Sequence, residues 1–131
     1  MPVSKPQDLP ADGDGRWPGI GFPSVRWGDM EVGYTTVKEP LDCTDVYHGL
    51  PGSVCQCPHY GYMLSGRLRC VYPGADWPDE VAVTGDIYFF PAGHILIYDE
   101  PSEVVEINPA DALVRLMKHI EAQANARGRT T

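Results

Sequence analysis

The chain is short of basic residues. Among its 131 residues, 10 Lys and Arg stand against 18 Asp and Glu, which gives a formal net charge of −8. The isoelectric point is about 4.7. A protein that binds nucleic acid needs a basic face to meet phosphates, and docking on anionic lipid needs clusters of Lys and Arg. The composition therefore predicts that neither nucleic acid nor a membrane is a partner.

Long apolar runs are missing too. No stretch approaches the ~20 apolar residues that span a bilayer, and residues 1–10 lack the apolar centre of a secretory signal. We therefore expect a cytoplasmic protein. In that compartment cysteines are thiols or metal ligands more often than disulfides. Of the four cysteines, Cys43 and Cys70 are interpreted as packed thiols.

The motifs of several large enzyme classes are also absent. There is no nucleophile elbow, no phosphate-binding glycine loop and no dinucleotide fingerprint. Gly and Pro instead separate short runs that are rich in β-branched and aromatic residues. These runs predict strands at 31–37, 55–64, 67–72, 80–83, 86–90, 94–98 and 104–107, with a tight hairpin turn at Ser65-Gly66. Such spacing is typical of an antiparallel barrel or sandwich.

The composition divides the chain into three parts. Residues 1–24 are rich in Pro, Gly and Asp and are predicted to be an irregular arm, residues 25–107 a β-barrel, and residues 108–131 a helix and tail. Asn108 suits a helix N-cap and Pro109 the first helical position. A helix is predicted over 109–126, because apolar residues recur there at helical spacing, namely Leu113, Leu116, Met117 and Ile120.

Two stretches carry side chains that could bind a metal. In an extended strand, Cys55, Cys57 and His59 point to the same face, because side chains alternate between faces. His94 follows the turn Pro91-Ala-Gly93. A histidine beside a turn, at the mouth of a small barrel, is well placed to meet ligands from another strand.

The first stretch resembles the first motif of the cupins. That motif runs Gly, five residues, His-x-His, three or four residues, Glu, six residues, Gly. This chain has Gly49, five residues, Cys55-x-Cys57, one residue, His59, six residues and Gly66. The shorter gap differs from the three-residue form of the motif by two residues, and an even deletion in a strand keeps a side chain on its face.

The second stretch resembles the second cupin motif. That motif runs Gly, five residues, Pro-x-Gly, two residues, His, three residues, Asn. This chain has Gly85, five residues, Pro91-x-Gly93, His94 at once, three residues and Tyr98. The glycine and proline framework agrees in both motifs, whereas the ligand types differ from those of the family.

The resemblance implies an all-β fold: a cupin-type double-stranded β-helix, or jelly-roll, barrel with an N-terminal arm and one C-terminal α-helix. It also implies a homodimer and a divalent metal such as zinc, iron or another transition metal. The implied ligands are Cys55, Cys57, His59 and His94. The alternative for these cysteines is simple packing, because free cysteine is among the most buried residue types. A disulfide between Cys55 and Cys57 is disfavoured by their spacing.

Two functions remain open from the sequence. The first is a cupin that binds a metal, a small organic ligand or both, with oxygenase, isomerase or cyclase chemistry if it is an enzyme. In that case Tyr98 would donate a hydrogen bond to the substrate, and Glu106 would be a candidate acid or base. Glu103 lies on the opposite strand face from Glu106, so the two do not form a carboxylate pair. The second is a metal-free, non-catalytic binding or sensor module.

Overall fold

A computed structural model describes residues 3–11 and 17–129, with the side chains of 127–129 excepted. Within these ranges the chain forms ten strands and one α-helix. The strands are β1 (Ile20–Gly21), β2 (Ser24–Trp27), β3 (Met30–Val37), β4 (Leu41–Asp42), β5 (His59–Ser65), β6 (Arg67–Val71), β7 (Glu80–Val83), β8 (Ile87–Phe90), β9 (Ile95–Tyr98) and β10 (Ser102–Pro109). The helix α1 spans Ala110–Arg129, and short 3-10 helices span Pro6–Asp8, Thr44–Tyr47 and Pro51–Ser53.

The strands form two antiparallel sheets. The larger sheet has the order β1-β3-β10-β5-β8, with β2 also paired to β3, and the smaller has the order β4-β9-β6-β7. Both sheets contribute to one buried core, Met63 and Val104 from the larger sheet and Leu68 and Leu96 from the smaller. The predicted antiparallel barrel with a C-terminal helix is therefore confirmed.

The predicted hairpin at Ser65-Gly66 is wrong. Strand β5 belongs to the larger sheet and β6 to the smaller, so the chain changes sheets at this point instead of folding back on itself. Gly66 has a φ of +99°, and a Cβ on it would lie 2.5 Å from the carbonyl oxygen of Pro101. Only glycine fits such a corner, where the backbone is left-handed and pressed against a neighbouring segment.

The predicted strand at 55–64 begins later than expected. Strand β5 starts at His59, and Cys55 makes only an isolated bridge to His94. Pro58 explains the late start, because it has no backbone N–H to give to a ladder. Cys55 and Cys57 therefore precede the strand, yet both are buried together with His59. The position of Cys55 comes from its pairing with His94.

The helix also begins differently from the prediction. Strand β10 continues through Pro109, and the Ala110 N–H donates to the carbonyl oxygen of Asp29. Asn108 is therefore not an N-cap; it is a fully buried residue of β10 whose side chain faces the barrel interior.

The predicted apolar stripe of the helix is confirmed, because its four members are buried: Leu113, Leu116, Met117 and Ile120. In the described ranges, no helix is long and apolar enough to cross a membrane.

The end of the predicted arm packs against the barrel. Trp17 and Phe22 are buried in the core, and β1 pairs with β3. The part of the predicted arm and tail that the structure does not describe comprises residues 1–2, 12–16 and 130–131. The division into arm, barrel and helical tail stays a prediction.

Candidate metal centre

Two chain segments bring three ligand-type atoms together. Backbone hydrogen bonds of 2.8 Å join Cys55 to His94 and to Gly93, which fixes the loop before β5 against the start of β9. His59 is the first residue of β5. One nitrogen of each histidine and the Sγ of Cys55 lie within 4.8 Å of one another, and all three residues are buried. A cysteine and two histidines thus converge inside the barrel.

His94 presents a single free nitrogen. Its Nδ1 lies 2.6 Å from the carbonyl oxygen of Pro91. Because a carbonyl only accepts, Nδ1 carries the proton, and in the neutral ring Nε2 holds a lone pair. Nε2 is buried and has no hydrogen-bond partner among the residues that the structure describes. This is the arrangement in which a histidine binds a metal through one nitrogen and is oriented through the other.

His59 is held in the same way. Its Nδ1 lies 2.9 Å from Oδ1 of Asn108 and 3.2 Å from Oε1 of Glu106. The amide nitrogen of Asn108 donates to the same Glu106 oxygen at 2.8 Å, which leaves Oδ1 to accept from His59. The other ring nitrogen, Nε2, lies 3.5 Å from the Sγ of Cys55. Both imidazoles are therefore tethered at Nδ1.

Glu106 is set in a row of four residues across the larger sheet. In this row Glu106 of β10 pairs with Gly33 of β3 and Gly61 of β5, and Gly61 pairs with Tyr88 of β8. A Cβ on Gly61 would lie 2.3 Å from the ring of Tyr88, and one on Gly33 would lie 2.2 Å from the ring of Phe22. The missing side chain at Gly61 lets Tyr88 cross β5 and donate to Oε2 of Glu106 at 2.7 Å.

The charges of this cluster stabilise one another. Burial alone would raise the pKa of Glu106. The charge and hydrogen bond of His59, together with hydrogen bonds from Asn108 and Tyr88, instead lower this pKa to about 2. Burial lowers the pKa of His59, yet Glu106 and Cys55 outweigh it, and that pKa lies well above its usual value. Burial likewise opposes ionisation of Cys55, but His59 and His94 lower its pKa to about 6. Cys55 is therefore readily available as a thiolate, the form that binds metals.

The other cysteines lie outside this set of three. Cys57 is buried beside His59, but its thiol donates to the carbonyl oxygen of Pro58 at 3.3 Å, and burial raises its pKa. Burial also raises the pKa of Cys43 to about 12 and that of Cys70 to about 11. All four are free thiols. The packed-thiol interpretation of Cys43 and Cys70 is confirmed, because both are buried in the core.

A small, partly open cavity of about 30 Å³ lies beside His59. Glu106 and the buried Tyr98 also line it. The substrate contact predicted for Tyr98 and the acid or base role predicted for Glu106 stay predictions. Asn108 was not recognised as a partner of His59, although it is two residues from Glu106 in a strand and so shares its face. Tyr88 was recognised only as one of several strand tyrosines that could line a pocket or simply pack.

The chain matches no known protein-family model and no curated protein. Its fold does match solved structures. An RmlC-like cupin from Shewanella frigidimarina aligns with a TM-score of 0.55 and 12% identity, over 83% of this chain and 91% of the other. The fold is that of a cupin.

Two further structures share this cupin fold. A protein of unknown function from Rhizobium leguminosarum aligns with a TM-score of 0.57 and 19% identity, over 82% of this chain and 95% of the other. A putative ethanolamine utilization protein Q from Salmonella typhimurium aligns with a TM-score of 0.51 and 17% identity, over 74% and 79%. At these identities the likeness establishes the fold, and the chemistry must be argued from the side chains of this chain.

Proposed function

We propose that this cupin binds a first-row transition metal ion through Cys55 Sγ, His59 Nε2 and His94 Nε2. The observation that carries the proposal is the Nε2 of His94, which is buried beside a thiol and has no hydrogen-bond partner in the described part of the chain. A buried polar atom without a partner costs about 1–3 kcal/mol. A metal ion would satisfy this nitrogen.

The donor set favours particular ions. One thiolate and two imidazoles suit zinc, copper or iron, whereas magnesium and calcium prefer oxygen ligands. When bound, such an ion would act as a Lewis acid or bind a small exogenous ligand. The protein supplies the rest: Glu106 and Asn108 hold the Nδ1 proton of His59, and the Pro91 carbonyl holds that of His94.

Oxygenase, isomerase or cyclase chemistry would also require that an organic substrate reach the metal. The cavity beside His59 measures about 30 Å³, and one water molecule takes about 10–15 Å³ of such space. The cavity is partly open, so an organic substrate would have to enter through its mouth to reach His59.

Metal analysis of protein purified without an affinity tag or chelator tests the proposal. We expect about one equivalent of a transition metal per chain and its loss in His94→Ala. His48→Ala is the matched control, because His48 is exposed on a loop, and it should keep the metal. Metal-free wild-type protein with the circular dichroism of a folded β-protein would contradict the proposal and favour the metal-free binding module.

A further inference from the structure

An open groove at the edge of the barrel is lined by aromatic rings, prolines and a carboxylate. It lies where the loop between β6 and β7 approaches β8, and its volume is about 350 Å³. Strand β7 ends the smaller sheet and β8 ends the larger one, so the groove lies at the margin of both. The described residues that line it include none of the three proposed metal ligands and are Tyr72, Trp77, Pro78, Glu80, Phe89 and Pro91.

Two of the rings form a corner in this groove. The ring centroids of Tyr72 and Trp77 lie 5.0 Å apart, and their planes are inclined by 76°. Tyr72 is buried, whereas Trp77 is 54% exposed. Pro78 restricts the backbone of Trp77 to extended conformations, which fixes the direction from which its side chain enters the groove. The corner therefore offers a ligand the π-surfaces of two rings from two directions.

A carboxylate stands at the same corner. The hydroxyl of Tyr72 donates to Oε1 of Glu80, which fixes the carboxylate beside the rings. The side chain of Glu80 is exposed, so its second oxygen can meet a ligand. No basic side chain is among the described residues that line the groove, and residues 73–80 contain Asp76 and Asp79 but no Lys or Arg. The groove is therefore both aromatic and negatively charged.

This combination matches an organic cation better than other ligands. The face of an aromatic ring attracts a cation through its quadrupole, and tryptophan does so most strongly. A quaternary ammonium group also brings methyl groups that pack against the rings, and it keeps less water than a primary ammonium group, which is a strongly hydrated point charge. An anion would be repelled by Glu80, and a neutral apolar molecule would gain nothing from the carboxylate.

We propose that the corner of Tyr72, Trp77 and Glu80 binds a small free organic cation of the quaternary or alkylated ammonium class. The alkyl groups lie against the two rings, and the carboxylate of Glu80 lies beside the charge. The groove volume of about 350 Å³ is within the range of clefts that take small molecules, roughly 300–1,000 Å³. This site is separate from the proposed metal centre and does not depend on it.

The charge of the ligand is tested by NMR titration with choline and with 3,3-dimethyl-1-butanol, which has the same shape but carbon in place of the charged nitrogen. The chain has three tryptophans, and the indole signal of Trp77 is the one that is absent from Trp77→Phe. We expect choline to shift this signal and the neutral analogue to bind about tenfold more weakly. Equal affinities for the two molecules would show an ordinary apolar groove and overturn the proposal.

The roles of the side chains are tested with three variants, whose fold is checked by circular dichroism. Trp77→Leu should weaken choline binding about tenfold, and Glu80→Gln should weaken it about fivefold. Asp79→Asn is the matched control for the charge, because Asp79 is not among the lining residues, and its choline affinity should remain that of the wild type. If Asp79→Asn and Glu80→Gln lost the same affinity, the assignment of the carboxylate to Glu80 would be overturned.

A lipid headgroup is the other source of the same chemistry, and the experiment distinguishes it. We expect the protein not to sediment with phosphatidylcholine vesicles, because the groove takes a free cation. Sedimentation with these vesicles, combined with a Trp77 signal that free choline does not shift, would assign the groove to a membrane surface and overturn the proposal. A Trp77 signal that no choline concentration shifts, without vesicle binding, would overturn it as well.

Discussion

Among the individual residues, Glu106 acts on the metal centre through His59. Its carboxylate accepts from His59, Asn108 and Tyr88, which occupies both of its oxygens within the cluster. A carboxylate behind a metal-binding histidine fixes the orientation of the ring and makes the ligand more basic. We therefore interpret Glu106 as a positioning residue of the metal centre.

Glu106→Gln tests this interpretation. The variant keeps the shape of the side chain but removes its charge, and loss of such a partner typically lowers metal affinity about 10- to 100-fold. Competition with a chromogenic chelator measures the change. Glu103→Gln is the matched control, because Glu103 lies on the outer face of the same strand and bonds to Tyr34 and Ser65. Equal metal affinities of the two variants would count against the interpretation.

The buried hydroxyl of Tyr47 gives a second prediction, on stability. Tyr47 is fully buried, and its hydroxyl has no hydrogen-bond partner in the part of the chain that the structure describes. Removing an unpaired buried hydroxyl is nearly neutral or stabilising. We expect Tyr47→Phe to leave the free energy of unfolding unchanged or to raise it, as measured by urea denaturation.

Tyr72→Phe is the comparison for Tyr47→Phe. The Tyr72 hydroxyl donates to Glu80, so its loss should lower the free energy of unfolding by about 1 kcal/mol. If Tyr47→Phe lost more stability than Tyr72→Phe, the Tyr47 hydroxyl would have to be paired in solution.

The sequence allowed part of the site to be predicted. Strand alternation separated Glu106, which is buried, from Glu103, which is exposed. The grouping of Cys55 with His94 depends instead on a bridge between residues 39 positions apart, and local periodicity carries no information about such pairings. Asn108 was misinterpreted because a residue that suits a helix N-cap also suits a buried hydrogen-bond network.

At the element scale, an ion-pair cluster joins β6 to the turn after β9. Asp99 accepts from Arg69 at 3.1 and 3.2 Å and lies 3.3 Å from Arg67. The hydrogen bonds and charge of Arg69 lower the pKa of Asp99 below its usual range. The three side chains are partly exposed, so we expect a small contribution to stability that solvent and salt weaken.

The lowered pKa sets the pH dependence of that contribution. It is fully present above the unfolded-state pKa of about 3.9 and is lost as the pH falls toward the lower folded-state value. In Asp99→Asn, we expect slightly lower stability at pH 7 and a smaller loss of stability between pH 5 and pH 2.5 than in the wild type. Urea unfolding across this range measures both; identical pH profiles would mean that the ion pairs contribute nothing.

The elements themselves were largely predictable. The apolar stripe of α1 and the alternation of β3 and β10 are strong local signals, because each element buries one face against the core. The strands β1 and β4 were missed, since two residues carry no periodicity. Strand β2 was missed as well. The corner at Gly66 was missed because a glycine turn looks the same in sequence whether the next strand pairs with the last or joins another sheet.

Considering the whole molecule, the outer face of the larger sheet is apolar across β5 and β8. Its exposed side chains pair across β5 and β8, Tyr60 with Phe89 and Tyr62 with Ile87. A contiguous exposed patch of aromatic and aliphatic residues often marks an interface. We propose that this face joins two copies of the chain in a homodimer.

Light scattering after size exclusion measures the proposed dimer. We expect Ile87→Lys, at a position that is 82% exposed, to convert the protein to a monomer while preserving its fold. Val114→Lys, on the exposed side of α1, should remain dimeric. A monomeric wild type, or an Ile87→Lys dimer as stable as the wild type, would show that this face is not the interface.

The central claim is that Cys55, His59 and His94 hold one metal ion together. X-ray absorption at the edge of the bound metal tests it most directly. We expect one sulfur ligand at about 2.3 Å and two imidazole nitrogens at about 2.0–2.1 Å, with the sulfur lost in Cys55→Ser. A metal ion surrounded only by oxygen and nitrogen in the wild type, or an unchanged spectrum in Cys55→Ser, would contradict the account.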